Sequence, residues 1–145
     1  AGLLHDIGKL VLGTFLEADG EAISNLAMDE KIAFEEAEDR ILGINHAEVG
    51  AMLLASWQLP DDIVRVVRWH HWPDKAEGDT LVTDLVHVAD TLSIECGLGV
   101  GIDGLKYHIS PASAERLHLK TTVAEQVTAV MLEELQEIRA QRAVR

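Results

Sequence analysis

The chain has 145 residues, of which 48% are apolar and 26% charged, with a formal charge of −13. This is the balance of one globular domain large enough to bury a core, and no apolar run reaches the ~18 residues that a membrane span needs. The negative charge argues against a nucleic-acid polymer as partner, while leaving room for a small phosphorylated ligand beside a metal ion.

No basic, apolar N-terminus reads as a signal peptide. The single cysteine, Cys96, rules out an internal disulfide, fits a reducing cytoplasm and is read as a small buried residue. Ala1 opens inside an expected helix with no room for a cap. The chain is therefore read as the C-terminal two-thirds of a larger domain whose natural start and first helices lie upstream.

In chain order every segment reads as helix, and strand signals are missing. The first helix is expected to run through His5 to about Phe15, with Leu3, Leu4, Ile7, Leu10 and Val11 as its stripe. A second spans roughly Glu21 to Met28. A third follows Asp29, places Ile32, Ala33, Ala37 and Ile41 on one side, and stops at Gly43.

Asn45 reads as an N-cap, with Glu48 completing a capping box, so that His46 takes the first helical position. There the helix dipole should disfavour a protonated imidazole. Gly50 and Ala51 permit close approach of another helix, and Leu53, Leu54 and Trp57 bury the rest. Pro60 is placed at N1 of the next helix, with Asp61 and Asp62 in its first turn. Ile63, Val66, Val67 and His70 then form its buried face, with His71 one residue round, before Pro73.

A further helix runs from near Thr80 to Gly97, with Leu81, Leu85, Val88 and Leu92 as its stripe and Asp90 in its later half. Gly97, Gly99, Gly101 and Gly104 mark a loop. Ser110-Pro111 starts a short helix to about Leu117. Thr122 and Glu125 form a second capping box for a final helix to about Arg139, and the tail beyond reads as frayed. Val123, Val127, Val130, Met131, Leu135 and Ile138 give that helix a docking stripe.

Four imidazoles and two carboxylates stand in or beside these apolar segments: His5, Asp6, His46, His70, His71 and Asp90. Burying each without a partner would be costly, and a shared metal centre satisfies all six at once. From the residues alone, that reading stands level with six separately satisfied side chains. Imidazole with carboxylate suits one or two divalent ions of Fe, Mn, Zn, Co or Ni, and not a cysteine-based zinc site.

The segments Ala1-Gly2-Leu3-Leu4-His5-Asp6-Ile7-Gly8-Lys9-Leu10, His46-Ala47-Glu48-Val49-Gly50, Trp57-Gln58-Leu59-Pro60 and His70-His71 resemble the HD superfamily of metal-dependent phosphohydrolases. Within it the chain is most similar to the HDOD group, the HD-related output domains of bacterial signalling proteins. The resemblance runs from residue 1 to about residue 95. It implies an all-α, HD-like helical bundle forming a single domain over residues 1–145. It also implies His5, Asp6 and Asp90 as core ligands with Asp6 bridging, and His46, His70 and His71 as the further ligands of two-metal members. Lys9 follows the pattern's lysine and is weighed equally as a phosphate contact and as a solvated side chain. The Gly-Tyr-Pro signature of cyclic-di-GMP phosphodiesterases is absent after His71.

The remaining candidates take plainer readings. His108 and His118 are read as structural; His87, three residues before Asp90, is weighed as a side chain that orients a ligand and is read as structural too. The acidic runs at 35–39 and 133–134 are read as solvated helix faces. Trp57 is read as core, and Trp69 with Trp72 as an exposed patch for a partner. Two functions compete. One is a signalling output domain that acts through other signalling domains or proteins. The other is an active phosphohydrolase, in which Asp6 and Lys9 would be catalytic and a metal pair would polarise a phosphoryl group.

Overall fold

The computed structural model describes residues 1–15, 20–97 and 107–143, and among them every regular element is helical. After a 3-10 turn at Gly2–Leu4, the α-helices are α1 (Ile7–Phe15), α2 (Gly20–Glu30), α3 (Phe34–Leu42), α4 (His46–Ser56) and α5 (Asp61–Trp69). A second 3-10 turn at Pro73–Lys75 leads to α6 (Leu81–Glu95), α7 (Pro111–Arg116) and α8 (Thr121–Ala143). None of the described helices is long and apolar enough to cross a membrane.

α4 is the central strut, packed on α1 at one side and α5 at the other. Two glycines allow this. A Cβ on Gly8 would lie 1.9 Å from the His46 carbonyl oxygen and 2.8 Å from the Gly50 nitrogen, so α1 and α4 meet backbone to backbone. Ala47, Ala51 and Leu54 of α4, with Val66 and Val67 of α5, fill the buried seam. A second cluster joins Ile23 and Ala27 of α2 to Ala37 of α3.

Helix ends explain several differences from the sequence reading. Lys31, Gln58 and His118 take left-handed φ values of 55°, 58° and 49°. At each, the next N–H reaches back to close a Schellman turn: Ile32 to the Ala27 carbonyl, Leu59 to Leu54, and Leu119 to Ala114. Glycine is the usual signal for this turn, so these stops were not written plainly in the sequence. α3 begins at Phe34 as a result. Trp57, at the C-terminal cap of α4, is carried outward to 58% exposure and is not core.

His5 and Asp6 do not lie inside the first helix. They sit in the turn between the 3-10 segment and α1, where Leu4 N–H bonds the Ala1 carbonyl and Lys9 N–H the Asp6 carbonyl, i to i−3. Pro60 is the N-cap of α5 rather than its first residue. Only half of the first capping box forms: Asn45 accepts from the Glu48 N–H, while the Glu48 carboxylate pairs with Arg68 of α5. α8 starts at Thr121, which places Thr122 inside the helix, and it remains helical to Ala143.

The buried face of α6 is rotated from its apolar stripe. Leu81 and Leu85 are exposed, while Thr83, Asp84, His87 and Thr91 are buried with Val88 and Leu92. Asp84 and His87 can turn inward because partners await them, Arg116 and Ser113 for Asp84, and the His70 carbonyl for His87. On α8, Val123, Val127, Val130 and Ile138 are exposed. Ile41 of α3 is exposed as well, and Cys96 is half-buried. Of the glycine-marked loop, all but Gly97 lies outside the described residues, as does the tail after Ala143.

Candidate metal centre

The turn before α1 presents His5 and Asp6, the start of α4 presents His46, the end of α5 His70 and His71, and α6 Asp90. The close crossing at Gly8 and Gly50 brings the first two onto His46, whose Nε2 lies 3.3 Å from Asp6 Oδ1. His5 Nε2 is 3.3 Å from Asp90 Oδ1 and 3.5 Å from Asp6 Oδ2. His70 Nε2 is 3.9 Å from Asp6 Oδ1, and the His70 and His71 ring centroids lie 3.9 Å apart with the planes tilted at 45°. All six side chains thus stand together, although they span residues 5 to 90.

They form two overlapping groups. One ligand atom each from Asp6, His46, His70 and His71 lies within 4.8 Å of the others, and so does one each from His5, His70 and Asp90. His70, and not Asp6, is common to both. Asp6 still borders each, with Oδ1 toward His46 and Oδ2 near His5, where Lys9 Nζ also donates to it at 3.0 Å.

The tautomers are set by hydrogen bonds on the far ring nitrogens. His5 Nδ1–H donates to the Gly2 carbonyl at 2.7 Å, and His70 Nδ1–H to the Val67 carbonyl at 2.7 Å. His46 Nδ1–H donates to Glu38 Oε2 at 2.5 Å. Each Nε2 lone pair is thereby turned into the cluster. The Nε2 atoms of His46 and His71 are 2.9 Å apart, so a neutral His46 accepts from His71 Nε2–H.

Among the described residues, five buried side-chain atoms have no hydrogen-bond partner, and three of them belong to the cluster: His5 Nε2, Asp6 Oδ1 and His70 Nε2. Leaving such atoms bare costs about 1–3 kcal/mol each, and all three aim into the same space. A nitrogen and oxygen donor set of this kind fits a borderline divalent cation.

Electrostatics divide the histidines. Burial works against the His5 cation, but the Asp90 and Asp6 carboxylates outweigh it and raise its pKa. His46 behaves in the same way through Asp6 and Glu38. These two carboxylates act on His46 in the direction opposite to the helix N-terminus. Burial and then the neighbouring His46 push His70 down to about 3, while burial and then His70 hold His71 well below its ordinary value. Burial opposes the charge on Asp6, but His46 and Lys9 keep its carboxyl below the usual carboxylate range.

Some participants were not legible in the sequence. Glu35 and Glu38, read as part of a solvated face, are buried. Glu38 takes both the N–H and the ring Nδ1–H of His46. Glu35 accepts from the Tyr107 hydroxyl, and the Tyr107 ring lies 5.4 Å from that of His71. The signal was the i, i+3, i+7 face that Glu35 and Glu38 share with Leu42. Trp69 and Trp72 are half-buried, and Lys75 Nζ covers the Trp72 ring at 4.7 Å, so they form no open patch. His108 and His118 are exposed.

Comparison with known proteins agrees with this architecture. The family model of the HDOD domain matches residues 1–73. A solved structure from Geobacter sulfurreducens, described as an HDOD domain protein with unknown function, superposes with a TM-score of 0.70 at 27% identity. That match covers 95% of this chain and 50% of the other. Ribonuclease Y of Thermus thermophilus is 34% identical over 93 residues, which is 64% of this chain and 11% of the relative. An uncharacterized protein of Treponema pallidum is 27% identical over 70 residues, 48% of this chain and 14% of its own length. The chain thus spans only a small part of these two relatives.

Proposed function

The chain belongs to the HDOD domain family, and from that premise we propose that it is a regulatory output domain of bacterial signalling that holds one or two divalent metal ions in its His/Asp cluster. The observation that carries the metal reading is the convergence of His5 Nε2, Asp6 Oδ1 and His70 Nε2, buried and without partners. His46, His71 and Asp90 complete the donor set. Fe, Mn, Zn, Co and Ni all suit such donors. The domain acts in the cytoplasm through contacts with other signalling domains or proteins. Its charge of −13 disfavours nucleic-acid polymers and membranes as partners and admits a small phosphorylated ligand at the cluster.

One feature favours a second reading, a metal-dependent phosphohydrolase. The side chain of Asp6 keeps 39% of its surface open at the rim of the cluster, and Lys9 holds its outer oxygen. A bound metal pair would supply Lewis-acid polarisation of a phosphoryl oxygen. Asp6 would orient the reacting group and Lys9 would offset charge developing on the phosphoryl oxygens. The similarity to a ribonuclease points to a phosphodiester as substrate.

The test is metal content and turnover together. Wild type, Asp6→Ala and Asp90→Ala are loaded with Mn or Fe, analysed for bound metal, and assayed on nucleotides, cyclic dinucleotides, generic phosphodiesters and a short oligoribonucleotide. Metal in wild type alone, without turnover, supports the output domain. Turnover that disappears in Asp6→Ala and Asp90→Ala establishes the enzyme instead. Equal metal content and equal Tm in wild type and Asp6→Ala would remove Asp6 from the ligand set.

A further inference from the structure

His70 is the C-cap of α5 and His71 follows it, so the His70 carbonyl has no later turn of α5 to accept from. The His70 carbonyl instead accepts from His87 Nδ1–H at 2.8 Å. The other nitrogen of that ring, Nε2, accepts from the Ser110 N–H at 3.0 Å. Both nitrogens of His87 are therefore engaged, and its tautomer is fixed. The ring is buried, 6% exposed, and contributes no atom to either ligand group.

Ser110 is the N-cap of α7, and its hydroxyl also donates to Asp74 Oδ2 at 2.8 Å. From the other end of α7, Arg116 reaches Asp74 at 3.0 Å and grips Asp84 on α6 at 2.8 and 2.6 Å. Ser113 adds a bond to Asp84 at 2.6 Å. The segment carrying the paired histidines is thus held on both sides of His71, through His87 before it and through Asp74 after it. A helix of six residues has little stability of its own, so these bonds also fix where α7 lies.

We propose that His87 is a positioning residue for the metal ligands, a strut that ties the His70–His71 turn to the N-cap of α7. This rests on the reading that the cluster binds metal. An apolar ring would fill the same space but would leave the His70 carbonyl and the Ser110 N–H without their partner. The strut also makes metal binding and α7 docking reciprocal, since whatever orders one favours the other.

Two amide substitutions divide the strut. In His87→Asn the amide N–H₂ overlays Nδ1 and keeps the donor to His70. In His87→Gln the amide oxygen overlays Nε2 and keeps only the acceptor for Ser110. Cobalt(II) is titrated by its visible absorption, and amide hydrogen exchange of residues 70–75 is followed without metal. His87→Gln should weaken cobalt binding roughly 10- to 100-fold, change the ligand-field bands and speed exchange at 70–75. His87→Asn should restore most of all three.

Equal behaviour of the two variants would overturn the proposal. If wild type binds no cobalt, the metal reading fails, and metal-free exchange alone decides the strut. Should both variants melt, Ser110→Ala serves beside the same variant carrying an ester oxygen in place of the N–H at that position, which removes the donor to His87 without adding a side-chain atom. Faster exchange at 70–75 in the ester than in Ser110→Ala supports the strut, and equal rates refute it.

Discussion

Substituting Gly8 by alanine tests the crossing that assembles the cluster. The added Cβ would stand 1.9 Å from the His46 carbonyl oxygen, 2.7 Å from its carbon and 2.8 Å from the Gly50 nitrogen. All three neighbours are backbone atoms, so no rotamer change can relieve the clash, and α1 must withdraw by about 1.5 Å to bring that oxygen to an ordinary contact. Overpacking of this kind costs about 3 kcal/mol. Alanine regains about 1 kcal/mol of helix propensity, leaving a net loss of about 2 kcal/mol. For a domain of this size that lowers Tm by roughly 4–8 °C. The same shift carries Asp6 away from His46, so metal affinity should fall with stability. Gly13→Ala is the control, since nothing lies within 4 Å of a Cβ there on the same helix, and it should stabilise by about 0.5–1 kcal/mol. Paired urea unfolding curves decide the matter. A Gly8→Ala protein as stable as Gly13→Ala would refute the close crossing.

Three further outcomes follow from the site and its supports. Glu38→Gln loses the carboxylate that accepts both His46 hydrogens, and metal titration should show affinity lowered roughly 10- to 100-fold with all six ligand residues intact. Asp84 has a depressed carboxyl pKa, because Arg116, with Ser113 and Thr80, outweighs the effect of burial. A depressed folded pKa stabilises above the ordinary value of 3.8 and is lost as pH falls below it, so unfolding curves should show a flatter acid limb for Arg116→Ala than for wild type. Asn45→Ala should cost about 1 kcal/mol in denaturant unfolding. Glu48→Ala should cost about 0.5–1 kcal/mol, because its carboxylate makes a partly exposed pair with Arg68 rather than the second half of the cap.

The helical character of each segment, the N-cap at Asn45 and the buried face of Val66, Val67 and His70 were legible in the sequence, because periodicity and capping are local properties. The six ligand-type residues could be named for the same reason, since side-chain chemistry is written residue by residue. Which faces turned inward was a tertiary matter. Asp84 and His87 displaced Leu81 and Leu85 from the interior of α6 only because Arg116, Ser113, Ser110 and the His70 carbonyl lie opposite. Glu38 entered the core to hold His46, and with Asp6 it raises the His46 pKa, against the direction expected from the helix dipole. Burying Glu38, Asp84 and His87 is offset by the partners that meet them, and those stand 8 to 32 residues away along the chain, beyond the reach of any local pattern.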